Sequence, residues 1–161
     1  MTLDIKTTFK DIEESDVNQE TLLSFSISKG AITKSGKFIR SYMEELKSPG
    51  IRTVSEEEFR EALLVLKQYR ENHIPYLRFF SSLLESKLNR LQIFEQSIVS
   101  SRSKRLESIA NKLVVRKKMR LAQMDDVVGI RVTLPNISIL NQFLYDNADC
   151  EIVNSECVFD D

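Results

Sequence analysis

The chain has 161 residues, 42% hydrophobic and 29% charged, with only 4 Gly and 3 Pro, which suits about one domain with a real core and excludes collagen-like, low-complexity and disordered classes. Lys and Arg number 23 against 24 Asp and Glu, a net charge of -1, so no overall field marks a nucleic-acid or membrane protein and any such signal must be local. Cys150 and Cys157 with one distant histidine, His73, support neither a zinc site nor a disulfide framework. No basic leader precedes an apolar run, and no apolar segment approaches the ~20 residues that span a bilayer, so a soluble cytoplasmic protein is expected.

Residues 1–20 are polar and weakly periodic and read as a mobile lead. Ser28 is a plausible N-cap for a first helix, because Ile32, Gly36, Ile39, Met43 and Leu46 share one face, and Ser48-Pro49-Gly50 stops it. Ser55 and Glu58 form a capping box ahead of the stripe Phe59, Leu63, Leu66, Tyr69, each side chain satisfying an orphan amide of the first turn. Pro75 ends or bends that helix. From Tyr76 the pattern Phe80, Leu84, Leu88, Leu91, Phe94, Ile98 predicts a long helix, and the first hundred residues read as a helical hairpin-like assembly whose aromatics are core. His73, before Ile74-Pro75, reads as a packing or capping residue at a helix junction.

A fourth helix is expected from about Lys104 to Val115, with Leu106, Ile109 and Leu113 inward and Lys104, Ser108 and Lys112 stacked on another face. The composition changes at Met124. Val127 to Leu134 is β-branched, nearly continuously apolar and stopped by Pro135, which predicts a buried strand. Asn136 can cap a helix through Leu144, and residues 150–159 alternate loosely as a second strand. Strand, helix and strand after a helical half make an α+β outline with its sheet unfinished. Two strands alone are marginal, so the chain reads as cut short.

Charge is uneven. Residues 101–120 carry eight basic side chains against one acid, a balance of +7, and residues 121–161 carry Arg131 alone against eight acids, a balance of -7. Such an abutment is either a self-neutralising surface or the pairing that phosphates plus a metal need, with cations for phosphate oxygens and carboxylates for Mg2+.

Arg102-Ser103-Lys104, then Ser108-Ile109 and Lys112-Leu113, then Asp126-Val127-Val128-Gly129-Ile130-Arg131, carry a resemblance to the RelA/SpoT-type alarmone synthetases. That domain opens with arginine, one residue and lysine, continues with Ser-Ile and Lys-Leu on the next helix, and enters an Asp-x-x-Gly-x-Arg strand. Upstream, Phe25 to Phe38 with Ser35-Gly36-Lys37, and Arg70 to Leu77 with His73 and Pro75, resemble a helical N-terminal extension found in one branch of the family. The resemblance spans roughly residues 25–134. It implies a nucleotidyltransferase-like mixed sheet and transfer of the β,γ-pyrophosphate of ATP to the 3′-hydroxyl of GTP or GDP. It further implies that Arg102 and Lys104 hold the ATP phosphates with Ser108 donating nearby, Lys112 on the same face, Arg131 as a further nucleotide contact and Asp126 as the Mg2+ ligand. Asp125 stands beside it as an alternative. In an ideal strand Asp126 and Arg131 point to opposite faces unless Gly129 marks a bulge.

Arg105 stands where the family usually has a small residue, and neither Gly-Tyr-Arg nor Glu-x-Gln, the family's later motifs, occurs in residues 1–161. The expected organisation is therefore a mobile lead over 1–24, a helical region over 25–99, and the first part of a synthetase-like domain over 100–161, inactive by itself, with no catalytic base assignable. Two other readings stay open. One is a non-catalytic RNA- or partner-binding module, with Arg116 to Arg120 touching RNA phosphates through clustered charge. The other is a toxin-type relative that pyrophosphorylates another nucleotide or tRNA.

Overall fold

The computed structural model describes residues 4–15, 27–47 and 53–146. Its elements are helices and a two-stranded antiparallel sheet, an α+β architecture as expected. The chain clusters into two units, Met1–Leu77 with Arg102–Gly129, and Arg78–Ser101 with Ile130–Asp161.

In the first unit, α1 (Ile5–Glu14) occupies residues expected to be a lead. Asp4 caps it, accepting from the Lys6 amide at 3.2 Å and the Thr7 hydroxyl at 2.7 Å. Only Thr8, Phe9 and Ile12 are buried, so a single narrow apolar stripe on a polar segment was too little to distinguish a helix from a leader by composition. In α2 (Lys29–Glu45), Ser28 accepts from the Ala31 amide at 3.1 Å, and Ile32, Gly36, Ile39 and Met43 are buried on the expected face. The expected stop at 48–50 lies outside the described residues.

The capping box of α3 (Glu56–Glu71) is formed, and Phe59, Ala62, Leu63 and Leu66 are buried. The Tyr42 ring stacks on Phe59 at 4.1 Å, and Phe9 meets it edge-on at 6.0 Å. Each such fully buried side chain contributes roughly 1.5–3 kcal/mol of transfer free energy. Two cations tie this packing to α1. Lys67, 3% exposed, donates to the carbonyls of Ile12 at 2.9 Å, Glu13 at 3.2 Å and Ser15, satisfying groups that the C-terminus of α1 leaves unpaired. Arg70 donates to Glu13 at 2.5 Å.

Pro75 is the second residue of α4 (Ile74–Arg90). It begins this helix, because a first-turn residue needs no amide donor. His73 sits in the turn, its Nδ1 2.7 Å from the Tyr69 carbonyl and its ring edge-on to Tyr69 at 4.7 Å, the junction role expected of it.

The long helix expected to run through Ile98 stops at Arg90. Gln92 takes a left-handed conformation at φ 57, its amide donating to Asn89 and that of Ile93 to Leu88. This is a Schellman closure, with Ile93 and Leu88 both buried. It uses glutamine where glycine is usual, so the sequence carried no stop signal. After the short 3-10 turn Phe94–Gln96, residues Ile98–Ser103 form β1, a strand that the helical reading missed.

Helix α5 (Leu106–Val115) buries Leu106, Ile109, Ala110, Leu113 and Val114. A 3-10 turn, Leu121–Gln123, and the turn at 125–126 lead to β2 (Val128–Thr133), which pairs with β1. The Lys104 amide donates to the Val127 carbonyl at 2.8 Å. Four residues further along each strand the Ser100 hydroxyl meets the Arg131 carbonyl at 3.5 Å, so no bulge interrupts the register at Gly129. The sheet thus pairs 98–103 with 128–133, whereas the expected second strand at 150–159 lies outside the described residues.

In the second unit, α6 (Ile137–Tyr145) is capped by Asn136, which accepts from the Ile139 amide at 3.0 Å. Lys87 lies 4.8 Å from the Phe143 ring centre and Arg90 pairs with Asp146 at 2.6 Å. Tyr76, Phe79 and Phe80 of α4, expected in the core, are exposed, as are Ile98, Ile137 and Tyr145. Among the described residues no helix is long and apolar enough to cross a membrane.

Candidate functional site

Lys104 is not on a helix. It lies between β1 and α5, whose N-cap is Arg105, so the helical stack of Lys104, Ser108 and Lys112 exists only from Ser108 onward. The chain nevertheless brings both lysines to one point. The Lys104 amide is held by Val127, and its carbonyl accepts from Arg70 at 3.4 Å, which fixes its backbone against the turn carrying Asp126. Lys112, one turn past Ser108, reaches the same turn from α5. Each ammonium meets a different oxygen of Asp126, Lys104 on Oδ2 at 2.7 Å and Lys112 on Oδ1 at 2.7 Å.

The electrostatics follow from that geometry. Burial pushes the Asp126 carboxyl up, but hydrogen bonds and charge from Lys104 and Lys112 outweigh it and hold the group at about 2, below its ordinary 3.8. Asp126 is therefore an anion at neutral pH. Its side chain remains 43% exposed, against 24% and 22% for the two lysines, so solvent reaches the centre.

Arg102 and Ser103 are exposed on β1, and Ser108 is exposed on the first turns of α5. Among the described residues, no hydrogen bond or ion pair joins the Lys104–Asp126–Lys112 centre to any of the three side chains. Arg131 is exposed on β2 within the second unit. Asp125 is exposed beside Asp126, and burial first, then the charge of Asp125, raise the pKa of the Tyr69 hydroxyl. Among the described residues no group of three or more His, Cys, Asp and Glu side chains converges, so a Mg2+ ion here would rest on Asp126 together with phosphate oxygens and water. That is an ordinary way for this ion to be held.

Sequence reasoning named Arg70 only as the start of the upstream motif and missed that it orders the Lys104 backbone from α3, and it missed Arg40. Half-buried on α2, Arg40 donates from Nε to the Leu113 carbonyl at 2.8 Å and from Nη2 to the Met119 carbonyl, closing the end of α5. Nothing in the local sequence distinguishes either arginine from its solvated neighbours, because the carbonyls they satisfy lie 34 to 79 residues away.

No protein-family model, curated protein or solved structure matches this chain.

Proposed function

We propose that residues 102–126 carry the ATP-phosphate half of a RelA/SpoT-like pyrophosphokinase site. The supporting observation is the convergence of Lys104 and Lys112, from two different elements, on the partly exposed carboxylate of Asp126. Two ammonium groups facing one anion are a ready template for phosphate oxygens, which offer the same charge and acceptor geometry. In the reaction, the 3′-oxygen of the acceptor nucleotide attacks the β-phosphorus of ATP, the bond from that phosphorus to the α-phosphate oxygen breaks, and AMP leaves. Negative charge spreads over the transferred oxygens, so positioned cations are the expected tools. Lys104 and Lys112 bind and orient the β- and γ-phosphates, and Arg102, exposed near the end of β1, is the further phosphate ligand that the resemblance implies. A Mg2+ ion would sit on Asp126 and neutralise phosphate charge. No base for the hydroxyl proton is assigned among these residues, and no acceptor motif occurs in them, so pyrophosphate transfer by residues 1–161 is expected to stay at the blank.

Calorimetric titration of ATP tests this reading. Charge-assisted hydrogen bonds contribute roughly 1.5–3 kcal/mol each, so Lys104→Ala, Lys112→Ala and Arg102→Ala are each expected to weaken binding about tenfold or more. Asp126→Asn is expected to weaken it only when Mg2+ is present, since without the metal the substitution removes a carboxylate that competes for the lysines. Equal affinity for the parent and all four variants sinks the reading.

A further inference from the structure

A second cationic surface lies in the first unit, built from residues that take no part in the Asp126 centre. Lys37 on α2 faces Lys117, Lys118 and Arg120 of the segment joining α5 to the Leu121 turn, and Lys29 and Lys34 line an adjoining groove with Arg120. Between Lys37 and that segment is a recess of about 180 Å³ that shares Thr33, Lys37 and Arg120 with the broader groove along the first turns of α2. The two walls can approach because residue 36 is glycine: a Cβ there would lie 2.7 Å from the Leu121 Cβ. Arg40, at the floor, is occupied by the Leu113 and Met119 carbonyls and holds the basic segment in place.

No described carboxylate lines the groove, and none of its six cations forms an ion pair within 4.0 Å among the described residues. Lys34 also acts by charge on the Glu58 carboxylate of α3, whose pKa is lowered first by its hydrogen bonds with Ser55. Six cations gathered with no carboxylate among the residues lining the groove repel one another, an arrangement that a polyanion relieves by releasing its own counterions.

We infer that this groove binds the phosphodiester backbone of a nucleic-acid strand without reading its bases. The length fits, since Lys29 and Lys37 are eight residues apart on α2, about 12 Å at the helical rise. One strand of a duplex presents three or four phosphates over that distance, at about 3.4 Å each. No aromatic ring lines the groove, so nothing there stacks on a base, which separates this surface from single-strand readers that combine charge with aromatic platforms. Lys117, Lys118 and Arg120 belong to the basic run singled out in the sequence, but their partners on α2 were not legible there, and Arg116 lies outside the groove.

Fluorescence anisotropy with the whole chain tests the inference, using 5′-labelled 12-mers of oligouridylate and oligothymidylate and a 12-base-pair RNA duplex, with KCl from 25 to 150 mM. Binding is expected for all three. For the single strands the logarithm of affinity should fall against the logarithm of salt with a slope of about -2 to -3, for the three or four phosphates the groove spans. Lys37→Gln/Lys118→Gln should weaken binding at least tenfold and flatten that slope by about 1.4. Lys6→Gln/Lys10→Gln on α1 removes equal charge and should change it less than threefold, with circular dichroism verifying that both variants are folded. The inference is overturned if the two double variants lose affinity equally, if one homopolymer is preferred more than tenfold, or if phosphatidylserine vesicles and not oligonucleotides show the Lys37/Lys118 dependence. Preference for uridylate and the RNA duplex over thymidylate by less than tenfold keeps the shared phosphodiester reading, with RNA as its source.

Discussion

Replacing Gly36 by alanine should destabilise the protein, against the usual direction for a mid-helix glycine. In a solvent-facing helical position the change is expected to stabilise by up to ~1 kcal/mol, because alanine loses less backbone entropy on folding. At Gly36 the added methyl would stand 2.7 Å from the Leu121 Cβ, with the Leu121 amide nitrogen at 3.5 Å and its Cα at 3.7 Å. Leu121 is fully buried, so the clash cannot be relieved by swinging a flexible tip into solvent. Either α2 or the Leu121–Gln123 turn must shift. Overpacking of this kind costs roughly 1–3 kcal/mol, which leaves a net loss of between about 0 and 2 kcal/mol. Gly30, in the first turn of the same helix, is the internal control, since a Cβ there meets nothing closer than the Ser28 hydroxyl at 3.8 Å. Urea unfolding of Gly30→Ala and Gly36→Ala should therefore place the second variant below the first by about 1 kcal/mol or more, at similar m-values. If Gly36→Ala is as stable as Gly30→Ala, the close approach that shapes both the core and the basic groove is not present in solution.

The stabilising contribution of Asp126 should change with pH only in acid: its folded carboxyl titrates at about 2, below the ordinary 3.8, so its contribution is complete above about pH 4 and is lost as pH falls through about 2. With the side chain 43% exposed, solvent screening limits that contribution to about 1 kcal/mol, and Asp126→Asn should remove it in a pH series of urea midpoints; a midpoint difference that persists unchanged at pH 2 contradicts the assignment. Lys67→Met should cost about 2–3 kcal/mol in urea unfolding, because the carbonyls of Ile12, Glu13 and Ser15 lose their donor in a buried setting; a cost below about 0.5 kcal/mol would mean that α1 does not dock on α3. Gln92→Gly should raise stability by about 0.5–1 kcal/mol, since glycine relieves the left-handed strain at φ 57, and a loss in thermal midpoint would refute the Schellman closure.

The sequence by itself determined what short-range chemistry decides. Ser28, Ser55 with Glu58, and Asn136 cap the helices expected of them, because a cap is a contract between residues two or three apart. The stripes on α2, α3 and α5 were legible for the same reason, since periodicity records which face is buried. The apolar run from Val127 was recognisable as a strand, but not as the buried one expected, because only Val127 is buried and residues 128–133, in a sheet of two strands, are half-buried or exposed. Its partner was not recognisable, because Ile98–Ser103 is short and mostly exposed, with little apolar alternation to announce it. The end of α4 was hidden by a glutamine doing the work of a glycine, a backbone strain that the packing of Ile93 on Leu88 sustains and composition does not show. Only the tertiary structure decided the site. Lys104 and Lys112 meet because strand pairing to Val127 and the reach of α5 bring separate segments onto Asp126, not because they share a helical face. The groove between α2 and residues 117–120 likewise needs Gly36 and Arg40 to hold together segments some 80 residues apart. Such long-range contacts depend on which surfaces the core brings together, and no local pattern encodes them.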